Sequence, residues 1–209
     1  MSRHLWQLPT LSLFFLLATA LVSAGKPANE KKDPPPNYYP LEVGNEWQFN
    51  ITVGEKTTKM DSRIAKIENI DGVALARLEC GVNNQVSATE HLRQTEKGVF
   101  RHRYNGAECD PPVCLLQYPV KASARWEGKL TVGKEKAKYS CETKDETVEV
   151  GAGKFKCVRV DLRLDSMGQI VNTSYWFVKD VGMVKQTIDV DNLSILLELQ
   201  SFQLKKENK

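Results

Sequence analysis

Five thiols, three histidines and 26 carboxylates are the side chains with which this 209-residue chain could do chemistry. The thiols are Cys80, Cys109, Cys114, Cys141 and Cys157. A zinc site would need closely spaced Cys and His, and the chain has no Cys-x-x-Cys and no His-Glu-x-x-His. His91 and His102 sit in polar, alternating stretches and read as ordinary surface or half-buried residues. Gly-x-Ser-x-Gly, the turn that exposes a serine nucleophile, is absent. Gly151-Ala-Gly-Lys154 lacks the spacing and the following Ser or Thr of a phosphate loop. Asp189-Val-Asp191-Asn192 is too short for a calcium loop and has no closing Glu. These patterns predict no catalytic residue, no cofactor and no metal set. What remains to the thiols is bridging. Cys109-Asp-Pro-Pro-Val-Cys114 carries two prolines that favour a turn, which predicts a tight loop closed by a Cys109–Cys114 disulfide. The connectivity of Cys80, Cys141 and Cys157 stays open, and the odd number leaves one thiol free or bonded to another chain.

Disulfides need an oxidising compartment, and the start of the chain has the marks of an export leader. Arg3 and His4 precede an uncharged run from Leu8 to Val22, and Val22-Ser23-Ala24 presents small residues to signal peptidase. Cleavage is expected between Ala24 and Gly25. The rival reading is a retained anchor, because the apolar run approaches the roughly 17–25 residues that span a bilayer. No Cys adjoins the cleavage point, which predicts a periplasmic or extracellular protein rather than a lipoprotein, with no membrane span after cleavage. Residues 25–37 (GKPANEKKDPPPN) are rich in Pro and charge and predict a disordered tether. The net charge of +3 comes from interleaved signs, so no nucleic-acid footprint is present.

The elements that must position these groups are strands. Asp71-Gly72, Asn105-Gly106, Met167-Gly168 and Asp191-Asn192 have hairpin-turn chemistry at strand-length intervals. Val158, Val160, Leu162 and Leu164 alternate with Arg159, Asp161 and Arg163; Phe155 and Cys157 fall on the other phase, which predicts a bulge near Cys157. Ala74, Ala76, Leu78, Cys80 and Val82 form a second stripe. Tyr39-Pro40-Leu41, Trp47 and Thr52-Val53-Gly54 recur 79 residues later as Tyr118-Pro119-Val120, Trp126 and Thr131-Val132-Gly133. This predicts a duplicated module. The expected fold is therefore all-β and mainly antiparallel: one domain over 38–204, in repeats of about 38–106 and 117–204, with about five and six strands. A sheet of that size must curve into a half-barrel, close or split into a sandwich. The apolar last run, Leu193 to Leu204, should be central or cover an edge. Residues 205–209 form a charged tail.

Three segments, Tyr39 to Phe49 (YPLEVGNEWQF), Thr147 to Val160 (TVEVGAGKFKCVRV) and Tyr175 to Gln186 (YWFVKDVGMVKQ), resemble the TapB-like group of exported bacterial β-proteins of unknown function. The resemblance implies an envelope protein and transfers no catalytic residue. Ser123 departs from it by standing where the first module has Gly44, which predicts a looser turn; Gly151 stands where such proteins often have Pro.

The functional expectation is a non-enzymatic envelope module whose curved sheet holds an apolar ligand, a lipid or an envelope-protein segment. Tyr175, Trp176 and Phe177 are the candidate apolar binding face. The alternatives are an assembly protein docking through a strand edge or an intermolecular disulfide, and an enzyme with a loop-built site.

Overall fold

The structure, a computed structural model, describes residues 36–83 and 85–205. The leader, its cleavage point at Ala24–Gly25, most of the tether and the end of the tail lie outside the described residues. All regular structure among the described residues is β. The strands are β1 (Glu46–Val53), β2 (Lys56–Ile70), β3 (Val73–Val82), β4 (Gln85–Thr95), β5 (Gly98–Tyr104) and β6 (Ala107–Gln117), followed by β7 (Arg125–Val132), β8 (Glu135–Val150), β9 (Gly153–Ser166), β10 (Gln169–Val178), β11 (Gly182–Val190) and β12 (Leu193–Gln203).

Each strand pairs antiparallel with the next, and β12 pairs with both β11 and β1. The sheet is thus a closed barrel of twelve strands, with six in each half rather than five and six. Closure, rather than an open half-barrel or a sandwich, follows from β12. Its run LSILLELQSFQ supplies an apolar strand with a partner on either side, which removes the exposed edges. The hairpins turn where the dipeptides predict: Asp71, Asn105, Met167 and Asp191 have φ of 52°, 47°, 51° and 51°.

The 79-residue spacing relates hydrogen bonds as well as residues. Gly44 N–H donates to the Ile64 carbonyl (2.8 Å) and Ser123 N–H to the Thr143 carbonyl (2.9 Å). Ile64 N–H donates to the Asn45 carbonyl (2.9 Å) and Thr143 N–H to the Ala124 carbonyl (3.0 Å). Ser123 takes a φ of 59°, left-handed like the 90° of Gly44. The turn in the second half is therefore not looser, because the same pair of bonds closes it.

Alternation places the core inside. Ile64, Leu92, Val99, Leu116, Val160, Phe177, Val184 and Leu199 are almost fully buried, each worth roughly 1.5–3 kcal/mol on transfer from water. The bulge expected near Cys157 is not formed: the β8–β9 register runs unbroken from Ala137↔Ser166 to Val150↔Gly153. Instead the burial stripe changes phase, from Ala137, Tyr139, Cys141 and Thr143 to Val148 and Val150. The far end of this hairpin leaves its neighbours and reaches β12, where Ala152 N–H donates to the Leu199 carbonyl (2.9 Å). There the face that points outward elsewhere is covered, which buries Cys157 beside inward-facing Val158.

Candidate functional site

The barrel interior holds an ion pair. Glu90 on β4 and Arg101 on β5 face inward, each in phase with an apolar residue two positions away, Leu92 and Val99. Arg101 Nε donates to Glu90 Oε2 at 2.7 Å, and the side chains are only 15% and 16% exposed. Arg101 Nη2 also donates to the Tyr175 hydroxyl at 3.2 Å. The guanidinium lies between the rings of Tyr104 (5.4 Å) and Tyr175 (6.0 Å). Burial works against the Arg101 charge, but the Glu90 carboxylate, and Tyr175 after it, hold it more firmly protonated than an ordinary arginine. Inward-facing charge in an apolar core costs stability unless it is paired and hydrogen-bonded. That makes this cluster the chemically distinctive part of the interior. The in-phase apolar neighbours were the signal that could have singled out Glu90 and Arg101 from sequence.

Around the pair, Tyr39, Trp47, Phe49, Met60, Leu115 and Phe177 line a void of about 40 Å³. Tyr39 comes from no strand. The segment Asn37 to Gly44 crosses the barrel end, and the Tyr39 ring enters to lie 6.0 Å from Trp47 and 6.1 Å from Phe177. Among the described residues, the start of this strap is held by Asp180 N–H to the Asn37 carbonyl (2.7 Å) and Tyr38 N–H to the Tyr118 hydroxyl (3.4 Å). Asn45 anchors its later part, donating to the Pro40 carbonyl (3.2 Å) and to Glu42 (2.8 Å).

The candidate aromatic face is divided by the sheet. Tyr175 and Phe177 stack inside at 5.7 Å. Trp176 faces the other way, where its indole N–H donates to Glu146 (3.0 Å) and Arg159 (4.9 Å) and Lys185 (5.6 Å) cover the ring. All three are buried, so the three together are not an open binding face.

The tight loop expected between Cys109 and Cys114 is replaced by strand β6. Its residues 109–112 are an insertion against β5, whose register jumps from Arg101↔Val113 to Arg103↔Glu108. No bridge forms between Cys109 and Cys114, and all five thiols are free. Burial pushes the Cys80, Cys114 and Cys157 thiols up to about 11, and those of Cys109 and Cys141 up as well. Cys80 is half-buried and the other four are buried, which leaves no exposed thiol for a bridge to another chain among the described residues. His91 lies buried on the sheet, with Nε2 2.6 Å from Glu68 Oε2. Lys66, and His91 after it, hold the Glu68 carboxyl down to about 2. His102 is half-buried and shifted down by burial, then by Arg93. Among the described residues no three of His, Cys, Asp and Glu are grouped as a metal would need.

The outer face of the second half carries a groove of about 700 Å³ across β7 to β11, lined by Arg125, Glu142, Arg159, Asp161, Arg163 and Ser174 among others. Two pairs of its charges neutralise each other, Arg125 with Glu142 (3.0 Å) and Arg159 with Asp161 (2.6 Å), while Glu127, Arg163 and Asp189 also line it.

No family model and no curated protein matches the chain, so the TapB-like resemblance has no support from a family match. Solved structures similar in shape include a protein of YmcC-like fold from Bacteroides fragilis NCTC 9343, inferred to be exported (13% identity, 79% of this chain and 98% of that one, TM-score 0.45). Another is a protein from Parabacteroides distasonis ATCC 8503 inferred to be a lipoprotein (15% identity, 82% and 100%, TM-score 0.44). A third is LprF from Mycobacterium bovis (11% identity, 79% and 88%, TM-score 0.22).

Proposed function

We propose that this chain is an exported, non-enzymatic binding module, built from two copies of a six-strand unit, that holds a small apolar ligand inside its barrel. The observation that carries the reading is the Tyr39 strap. The interior is lined by aromatic and aliphatic side chains around a buried polar pair, and one end is filled by a side chain from an irregular segment. A void of about 40 Å³ admits no lipid, since ligand pockets run to roughly 300–1,000 Å³. Uptake therefore requires the strap to leave, and favours a small ligand over a long acyl chain. The test is native mass spectrometry of the protein recovered from the exported fraction of its source cells, with titration of the apolar dye N-phenyl-1-naphthylamine. The reading expects a co-purifying small mass that is lost on unfolding, and dye binding that rises when residues 36–44 are deleted. No bound mass, together with no dye binding in either form, overturns it.

The outer groove favours a second reading, a docking site for an extended polar segment of another envelope protein. Closure of the barrel removes the free strand edges that edge docking would use.

A further inference from the structure

We propose that the interior is a binding site for a neutral phenol, a single aromatic ring bearing a hydroxyl, and that Tyr39 is the resident stand-in for that ligand. The proposal rests on the carrier reading above and adds the chemistry of the ligand. Tyr39 occupies the seat as a ligand would. Its ring meets Trp47 edge-on and tilts against Phe177, which is itself stacked on Tyr175. Polar groups line the same void beside the ring, among them Glu90, Arg101, Ser62, Cys80 and Tyr175.

These polar groups select the head group. The Tyr175 oxygen accepts from Arg101, which leaves the Tyr175 proton to donate. Glu90 is an acceptor, and Arg101 already engages one of its oxygens. A head group seated here must accept from Tyr175 and donate to Glu90, and a hydroxyl does both. Glu90 and Arg101 already neutralise each other, so a carboxylate or an ammonium would enter the apolar chamber as an uncompensated charge. The Tyr39 phenol feels the same environment: burial first, then Glu90, pushes its ionisation well above the ordinary value, so it sits there as the neutral form. Size fits as well. The void together with the volume vacated by the Tyr39 ring is on the order of 150 Å³, enough for one benzene-sized ring.

The experiment uses the full mature chain and its Tyr39→Ala variant, titrated with p-cresol and with toluene, which has the same outline and no hydroxyl. Binding is read by calorimetry and by protein NMR, which also reports folding. The proposal expects Tyr39→Ala to bind p-cresol roughly tenfold more tightly than toluene, about the worth of one hydrogen bond. It also expects Tyr175→Phe in the same background to erase that preference while toluene binding persists. Equal affinity for the two probes overturns phenol recognition and leaves the carrier reading standing. A folded Tyr39→Ala that binds neither probe overturns both. If Tyr39→Ala does not fold, the wild-type chain decides: p-cresol should shift the Tyr39 ring resonances as the ring is displaced, and unchanged Tyr39 resonances at saturating p-cresol overturn the proposal.

Discussion

The two seams that join the halves of the barrel are built differently. At the β12–β1 seam the ladder runs from Glu46↔Gln203 to Val53↔Ile195, with one register shift at Gln48/Phe49. At the β6–β7 seam it stops after Cys109↔Val132 and Asp110↔Thr131. Pro111 and Pro112 follow at once, and neither has an N–H to offer a neighbour. Side chains take over below them. Cys114 N–H donates to the Tyr139 hydroxyl (3.3 Å), and the Trp126 indole donates to the Cys114 carbonyl (3.0 Å). Tyr139 can lie there because its cross-strand partner is Gly128, where a Cβ would sit 2.5 Å from the ring. The matched residues of the first half, Phe49 and Met60, distribute bulk the other way. Trp47, matched to Trp126, spends its indole N–H on the Val181 carbonyl in the β10–β11 turn (2.7 Å). One pattern of residues thus serves a continuous ladder in one place and a patched one in the other. Two prolines are the local cause.

The halves also differ in where they keep charge, and this difference carries the largest expected effect. Glu90→Ala strands the Arg101 guanidinium inside the first half and should cost about 3–5 kcal/mol in urea unfolding. Asp161→Ala removes a partner of Arg159 on the outer face of the second half and should cost no more than about 1 kcal/mol. Similar losses from the two would mean that the Glu90–Arg101 pair is not functionally buried. Next comes the patched seam. Gly128→Val pushes Tyr139 out of place and should cost roughly 1–3 kcal/mol. It should also speed amide exchange at Cys114 while leaving the β1–β12 ladder protected; unchanged exchange at Cys114 would mean that Tyr139 does not hold the seam. The smallest effect separates the matched turns. Ser123→Gly relieves a left-handed residue and should raise stability by roughly 0.5–1 kcal/mol. Gly44→Ser should lower it by more, because a φ of 90° lies farther than the 59° of Ser123 from the left-handed well that a residue with a Cβ can adopt, while the flexible end of Lys205 only has to swing aside. Equal and opposite changes would show that the turns differ only in backbone preference.

Much of this architecture is legible in single residues. The turn dipeptides mark hairpins because Asp, Asn and Gly tolerate the positive φ that a two-residue reversal demands. Alternation at Val158, Val160 and Leu162 states which side of β9 faces in. The phase change at Cys157 was also visible, but its cause was not a bulge: the hairpin end gains a second covered face only after β8 and β9 reach β12. Likewise the prolines between Cys109 and Cys114 announce a break, and the structure resolves it as an insertion within β6 and an interrupted seam instead of a disulfide loop.

Sequence by itself determined the all-β class, the antiparallel order, four of the hairpin positions and the spacing of 79 residues between matching segments. These are properties of near neighbours, set by backbone preference and by a two-residue period. The tertiary structure alone decided that the sheet closes, that Glu90 and Arg101 face one another inside it, that Tyr39 fills the chamber beside them and that Tyr139 mends the seam at Cys114. Each of these depends on twist and register accumulated over many strands. In-phase apolar neighbours mark Glu90 and Arg101 as each sharing a core face, but not that the two faces meet as a pair inside one closed barrel.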